Sequence, residues 1–287
     1  MELPNRRCAD STQVQPAKHS LRYVAIIPAL NEANCIGRVV SALLALKRSD
    51  GSAAFVAAVV GDNGSTDRTC EVATHAGALV GRAASRGYGH GCRAAMGAAP
   101  QADVYVFVDG DDTLNYSEIE SLLAGIEGGA QLVIGRRVHR AKHSMSLPQV
   151  FGNALCCALI RLLWRADVHD LGPLRAIRAQ AFHRLDMQAL TYGWTLEMQI
   201  KAHELRMKMI EVPVSTLARR VGHSKVSANL RAAARCGRVM LHTIFDLWRT
   251  RGQRASASQS GERLRLVNTF HPTHHAPDPT LNKELPP

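Results

Sequence analysis

Along the chain, short apolar runs alternate with longer segments in which apolar residues recur every three or four positions. The runs at 23–27, 55–60, 78–80, 104–108 and 131–134 are dense in apolar residues, Val and Ile prominent among them, and most are bounded by polar or glycine-containing turns. That is the pattern of strands buried on both faces. Between them, 36–46, 69–75 and 91–99 have helical spacing, with Asn34 as the N-cap of the first, and Ser117-x-x-Glu120 is a capping box opening another helix. After Gly135 the pattern loosens. It predicts a helix over 148–164, a return to the sheet over 171–177, a helix over 195–205, a strand over 208–214 and one long helix over 227–249. Strands alternating with helices imply right-handed βαβ units, hence an α/β, Rossmann-like, mostly parallel sheet with helices on both faces.

Composition adds bounds. The 287 residues are 46% hydrophobic and 21% charged, ordinary for a globular chain. Residues 1–20 read as a disordered leader and 251–287, rich in Ser, Pro, His and Thr, as a disordered tail. Seven cysteines, an odd number without CxxC spacing, read as reduced thiols of a cytoplasmic protein. No signal peptide is visible, and the most apolar stretch, 154–164, is short for a membrane span and carries Arg161. The net charge of +11 is concentrated between Lys201 and Arg254, where 12 Lys/Arg face only Glu204, Glu211 and Asp246. Such a segment calls for an anionic partner: a phosphorylated ligand, an acidic membrane surface or nucleic acid. Nucleic acid is disfavoured, because the cluster lacks interleaved aromatics.

Candidate chemistry gathers where the strands end. The run at 104–108 leads straight into Asp109-Gly110-Asp111-Asp112, three carboxylates in four positions. At the carboxyl end of a central parallel strand they would sit in the crevice where open α/β sheets bind ligands. Acids so close repel one another unless a cation joins them, and hard divalent ions bridge carboxylates to phosphate. The competing reading is a polar turn, since Asp-Gly is a common turn dipeptide. The runs ending at Pro28 and before Gly61-Asp62 also finish in polar turns, which places three turns on one edge. Ser85-Arg86-Gly87-Tyr88-Gly89-His90-Gly91 precedes a helix, and closely spaced glycines let a backbone approach phosphate there. It is not a GxGxxG fingerprint, because Cys92 occupies the place of the third glycine.

These stretches resemble a known family. Val24-Ala-Ile-Ile-Pro28-Ala-Leu-Asn31-Glu32, Gly61-Asp62-Asn63-Gly64-Ser65-Thr66-Asp67 and Asp109-Gly110-Asp111 are similar to the family 2 glycosyltransferases of GT-A fold. Asp170-Leu-Gly-Pro173-Leu-Arg175, Gly193-Trp194-Thr-Leu-Glu197-Met198 and Arg220-Val-Gly222-His-Ser224-Lys225-Val-Ser227 look like the branch containing dolichyl- and polyprenyl-phosphate hexosyltransferases. The resemblance covers roughly residues 21–242.

It implies a domain over 21–250, with a nucleotide-sugar half (21–135) and an acceptor half (136–250). The implied reaction is an inverting, metal-dependent transfer of glucose or mannose from a UDP- or GDP-sugar to a polyprenyl phosphate at the cytoplasmic membrane face. Pro28, Asn31, Glu32, Asp62, Arg86, Gly87, Gly89 and Asp109 map to donor contacts, and Asp109 and Asp111 to the DxD pair that holds Mg²⁺ or Mn²⁺. The family often has two acids where this chain has Gly61-Asp62. Asp112 is an extra acid in support. A phosphate acceptor needs cations, which Arg136, Arg175, Arg220 and Lys225 supply with Ser224 as a donor. Arg137 reads as solvated surface. Asp170 and Glu197, with Asp111 and Arg136 among the expected catalytic residues, serve as base, orient an arginine, or pair structurally with Arg175. Two further readings stand beside this one: a soluble or glycan hydroxyl acceptor, and a non-catalytic nucleotide-sugar-binding or membrane-surface module. The 154–164 helix and the long basic helix are candidates for peripheral membrane contact.

Overall fold

The structure, a computed structural model, describes residues 20–140, 146–218 and 230–269. Seven strands form one sheet in the order β3-β2-β1-β4-β6-β5-β7. β1 (Tyr23–Ala29), β2 (Ala57–Asp62), β3 (Leu79–Arg82) and β4 (Val104–Phe107) are mutually parallel. β5 (Leu132–Arg140) and β7 (Met209–Thr216) are parallel to each other, whereas β6 (Arg175–Arg178) runs antiparallel to both β4 and β5. The expected α/β architecture, mostly parallel with helices on both faces, is the observed one.

The period-two rule of strands sorts the core into two layers. Tyr23, Ala25 and Ile27 of β1 face one side, with Val39, Val40 and Leu43 of α1 (Ile36–Ala45) and Ile119, Leu122 and Ile126 of α4 (Ile119–Glu127). Val24 and Ile26 face the other, with Cys92 and Ala95 of α3 (Tyr88–Ala98) and Trp194 and Met198 of α7 (Trp194–Glu204). All of these are buried, each large one contributing roughly 1.5–3 kcal/mol. A third cluster joins α5 (Leu147–Trp164), α7 and α8 (Leu230–Thr269) through Cys156, Cys157, Ile160, Leu196, Ile200, Ile244 and Leu247. α2 (Thr69–His75) and α6 (Ala179–Leu185) complete the layers. The six described cysteines are all free thiols, four of them buried.

Several boundaries differ from the expectation. β2 continues through Gly61 to Asp62, because both residues are paired with β1 and β3. α3 begins at Tyr88, so Gly89 and Gly91 lie inside it. The capping box at Ser117 does not form: α4 starts at Ile119 behind a 3₁₀ turn, and the Ser117 hydroxyl donates to Asn115 Oδ1 at 2.9 Å. A box does form at Ser146, whose N–H donates to Gln149 Oε1 at 2.9 Å before α5. Residues 171–174 are not strand. Leu171 N–H goes to Asn153 and Gly172 C=O to Arg175, so the ladder begins only at Arg175. α8 passes through Gly252 and continues to Thr269, so the first part of the expected tail is helical, as its Ala, Gln, Glu, Arg and Leu content allows.

The tightest contact of the fold is α3 on the sheet. A Cβ at Gly61 would stand 1.9 Å from the Gly91 carbonyl oxygen, and one at Gly81 2.0 Å from that of Ala94. The missing second acid beside Asp62 is thereby explained: no side chain fits at 61 while α3 lies there. Gly61→Ala is expected to cost about 3 kcal/mol, the upper range for overpacking. Gly97→Ala, on the exposed face of α3 with open space around it, should raise stability by roughly 0.8 kcal/mol. Urea unfolding of the two variants checks the pair.

Candidate active site

The carboxyl ends of β2, β1 and β4 lie side by side, and their turns are tied to one another. Asn31, at φ 50°, donates its N–H to Ser65 Oγ at 2.9 Å and accepts the Thr66 N–H at 2.7 Å. Glu32 N–H donates to Thr69 Oγ1, and the Glu32 carbonyl accepts the Cys35 and Ile36 N–H groups that open α1. Buried Asp62 accepts the Ser65 N–H at 3.1 Å. Pro28, on β1, packs near Gly91 of α3. Asn63, a residue the sequence reading passed over, bridges two segments: its N–H donates to Ala29 O and its Oδ1 accepts Gly87 N–H at 2.6 Å. Arg86 is exposed above Gly64.

Asp109 and Asp111 follow β4 and are both half-buried, reachable from this edge. Tyr88 donates its hydroxyl to Asp109 Oδ1 at 3.2 Å, a contact carried by the first turn of α3. Burial, reinforced by the Asp109 charge, pushes the Tyr88 phenol well above its usual range, so it stays a donor. Thr113 donates its hydroxyl to Asp111 Oδ1 at 2.7 Å. Asp112, at φ 58°, turns away from the edge into an ion pair with Arg38 at 3.0 Å and accepts the Tyr116 hydroxyl at 2.9 Å. It holds the loop from behind. Neither Tyr88 nor Arg38 carries a sequence signal beyond its neighbourhood.

Two half-buried carboxylates separated by one residue suit a hard divalent ion that takes its remaining oxygens from water and a substrate phosphate. Among the described residues no group of three His, Cys, Asp or Glu forms an all-protein cage. The donor set therefore fits a cation shared with a ligand.

On the acceptor side two arginines depart from expectation. Arg137, read as solvated, is clamped by buried Asp170, with Nε to Oδ2 at 2.8 Å and Nη2 to Oδ1 at 2.7 Å, and its N–H also donates to Oδ2. Arg175, expected to face a phosphate, is fully buried and donates to Gly172 O, Thr195 O and Gln199 Oε1. Burial brings its pKa down to about 10. It braces the start of β6 and α7. Asp170 thus pairs with Arg137 and not Arg175. Arg136 is half-exposed on β5, and among the described residues no hydrogen bond or ion pair engages its side chain. Arg220, Ser224 and Lys225 lie outside the described residues.

Glu197 is buried in α7 and fully occupied. Its oxygens accept the N–H of Gln188 at 2.9 Å and of Ala189 at 2.6 Å, and pair with Lys201 at 2.7 Å. The segment it holds presses on α3: a Cβ at Gly87 would lie 2.3 Å from Leu190 O, and one at Gly89 2.4 Å from Ala189 O. Gly87 and Gly89, expected to admit a donor, give room on their Cβ side to this backbone.

Comparison with known proteins places the fold and site in context. Residues 24–185 match the model of the family described as glycosyl transferase family 2. An uncharacterized glycosyltransferase of Mycobacterium tuberculosis (strain H37Rv) is 32% identical over 226 residues, covering 78% of this chain and 95% of that protein. A dolichyl-phosphate hexose transferase of Haloferax volcanii is 31% identical over 205 residues, 71% of this chain and 86% of that one. Among solved structures, glucosyl-3-phosphoglycerate synthase from M. tuberculosis with Mn²⁺, UDP-glucose and phosphoglyceric acid superposes with a TM-score of 0.65, covering 85% of this chain and 86% of that one at 20% identity.

Glu197→Gln leaves Lys201 buried without its counter-charge and is expected to destabilise the fold by about 3 kcal/mol. In hydrogen exchange the Gln188 and Ala189 amides should lose protection first. Arg86→Ala, at an exposed position, should change stability by less than about 0.5 kcal/mol.

Proposed function

We propose a reaction for this chain from the premise that it belongs to glycosyl transferase family 2, the family whose model its residues 24–185 match. The chain is an enzyme of GT-A fold that transfers a sugar. The reading put forward is inverting transfer of a hexose, glucose or mannose, from a UDP- or GDP-sugar to a polyprenyl phosphate.

One observation carries it: Asp109 and Asp111 stand reachable at the shared rim of β2, β1 and β4, with half-exposed Arg136 on β5 of the same sheet. In this reading Asn31, Glu32 and Asp62 hold the nucleoside. Asp109 and Asp111 would hold Mg²⁺ or Mn²⁺, which when bound neutralises the diphosphate as it leaves. Tyr88 keeps Asp109 aimed, and Thr113 does the same for Asp111. Arg136 orients the acceptor phosphate, whose oxygen attacks the anomeric carbon from the side opposite the diphosphate. The new C–O bond forms as the bond to the nucleoside diphosphate breaks, with inversion. A phosphate is already an anion near neutral pH, so no proton has to be removed from it. Arg220, Ser224 and Lys225 join the acceptor group on their sequence pattern alone. The chain enters their stretch at Leu217, whose N–H donates to Thr113 O beside Asp111.

A hydroxyl acceptor would require a base to take its proton. Asp170 and Glu197, the acids first suited to it, are buried in ion pairs with Arg137 and Lys201, which weighs toward the phosphate reading. The lipid identity is further supported by the dolichyl-phosphate hexose transferase among the relatives.

The test is transfer of labelled sugar from a panel of UDP- and GDP-sugars into a lipid extract. Label should enter a lipid phosphate with one donor and fall on the order of 100-fold or more in Asp111→Asn, since partners beyond the ligands alone are worth ~10–100-fold. Full transfer by that variant would overturn the metal role. Transfer to soluble hydroxyls alone, lost in Glu197→Gln without loss of fold, would replace the acceptor assignment. Donor binding with neither transfer nor hydrolysis would leave a binding module.

A further inference from the structure

α5 is apolar on two opposite sides. Cys156, Cys157 and Ile160 point into the cluster shared with α7 and α8. On the opposite side Leu147 (85% exposed), Phe151 (70%), Leu155 and Leu162 (74%) form a second stripe at helical spacing that nothing covers among the described residues. α8 carries an exposed stripe of its own, with Leu241, Phe245 (55% exposed) and Trp248 outward while Ile244 and Leu247 are buried in the cluster with α5 and α7. Arg251 of α8 donates to the Leu163 carbonyl of α5 at 3.2 Å, so the two stripes ride on one packed helix pair.

Exposed cations accompany these residues. Arg161 and Arg165 lie on and just after α5, and Arg238, Arg249 and Arg251 on α8, with Arg251 stacked over the Trp248 ring at 5.4 Å. α5 contains no acid, and the only acid between Leu230 and Arg254 is Asp246, which pairs with His242 at 2.8 Å.

We infer that the outer face of α5 and α8 is a docking surface for an anionic lipid bilayer. Large apolar side chains ringed by arginines match an interface of acyl chains beneath negative headgroups. A second copy of the chain docking by a twofold axis would instead set these arginines against one another. By length and composition α5 could cross a membrane, but its inner face is held by Cys156, Cys157 and Ile160, so it lies along the surface. The opposite, inner side of α5 meets the acceptor side, because Asn153 accepts the Leu171 N–H at 3.1 Å and sits 3.4 Å from Arg137 Nη2. The bearing of docking on catalysis rests on the lipid-phosphate reading above; the docking itself rests on exposure and charge.

Co-sedimentation of the full chain with phosphatidylcholine vesicles, with and without phosphatidylglycerol, tests it. Binding is expected with phosphatidylglycerol and should weaken as salt is added. A Phe151→Asp/Leu162→Asp double variant, at positions exposed enough to keep the fold, should lose about tenfold or more of that binding. Arg238→Gln/Arg249→Gln should lose the salt-sensitive part, with circular dichroism confirming both folds. Wild-type protein left in the supernatant, or folded variants that bind like wild type, would overturn the proposal. So would a wild-type dimer in analytical ultracentrifugation that the double variant abolishes. Vesicle binding without sugar transfer to any lipid phosphate would uphold docking and sink the acceptor reading; transfer to a short-chain lipid phosphate without vesicle binding would do the reverse.

Discussion

The approach of α3 to the sheet is the constraint from which the site follows. With hydrogens alone at Gly61 and Gly81, the helix backbone settles onto β2 and β3 at a depth no side chain permits. That depth brings the first turn of α3 to the rim, where Tyr88 meets Asp109 and Gly87 N–H meets Asn63. The same turn receives the 187–191 backbone on its far side, which Glu197 holds from α7. One helix seated low thus aligns the acidic loop, the β2 turn and the segment leading into α7.

Much of this was legible in the chain because burial on both faces leaves a strong mark. The order of strands and helices, and the gathering of three turns on one edge, came from uninterrupted apolar runs ending in polar residues. What escaped was decided by partners distant in sequence. Gly61-Asp62 looks like a turn in isolation, yet pairing with Ala29 and Arg82 on either side keeps it in the sheet. Ser117 is a local exception: its hydroxyl donates to nearby Asn115, and the helix opens only at Ile119.

The arginines teach the same lesson about chemistry. A motif records that a guanidinium is present, and not what surrounds it. Arg175 and Arg137 look equivalent as letters, but the first satisfies three backbone and amide acceptors inside the protein and the second is gripped by a buried carboxylate. Buried charge must be paired or saturated with hydrogen bonds, so such residues signal architecture as readily as ligand binding. Arg136, one position from Arg137 on the pleat, points the other way and keeps its charge available.

The antiparallel strand β6 has a consequence for how substrates arrive. Because it bonds to β4 on one side and to β5 on the other, the strands before and after Gly135 are stitched into one continuous ladder. Among the described residues a single sheet runs unbroken from β3 to β7. In the proposed reaction both substrates would meet on a rim whose backbone the sheet beneath holds in place, like work laid on a fixed anvil.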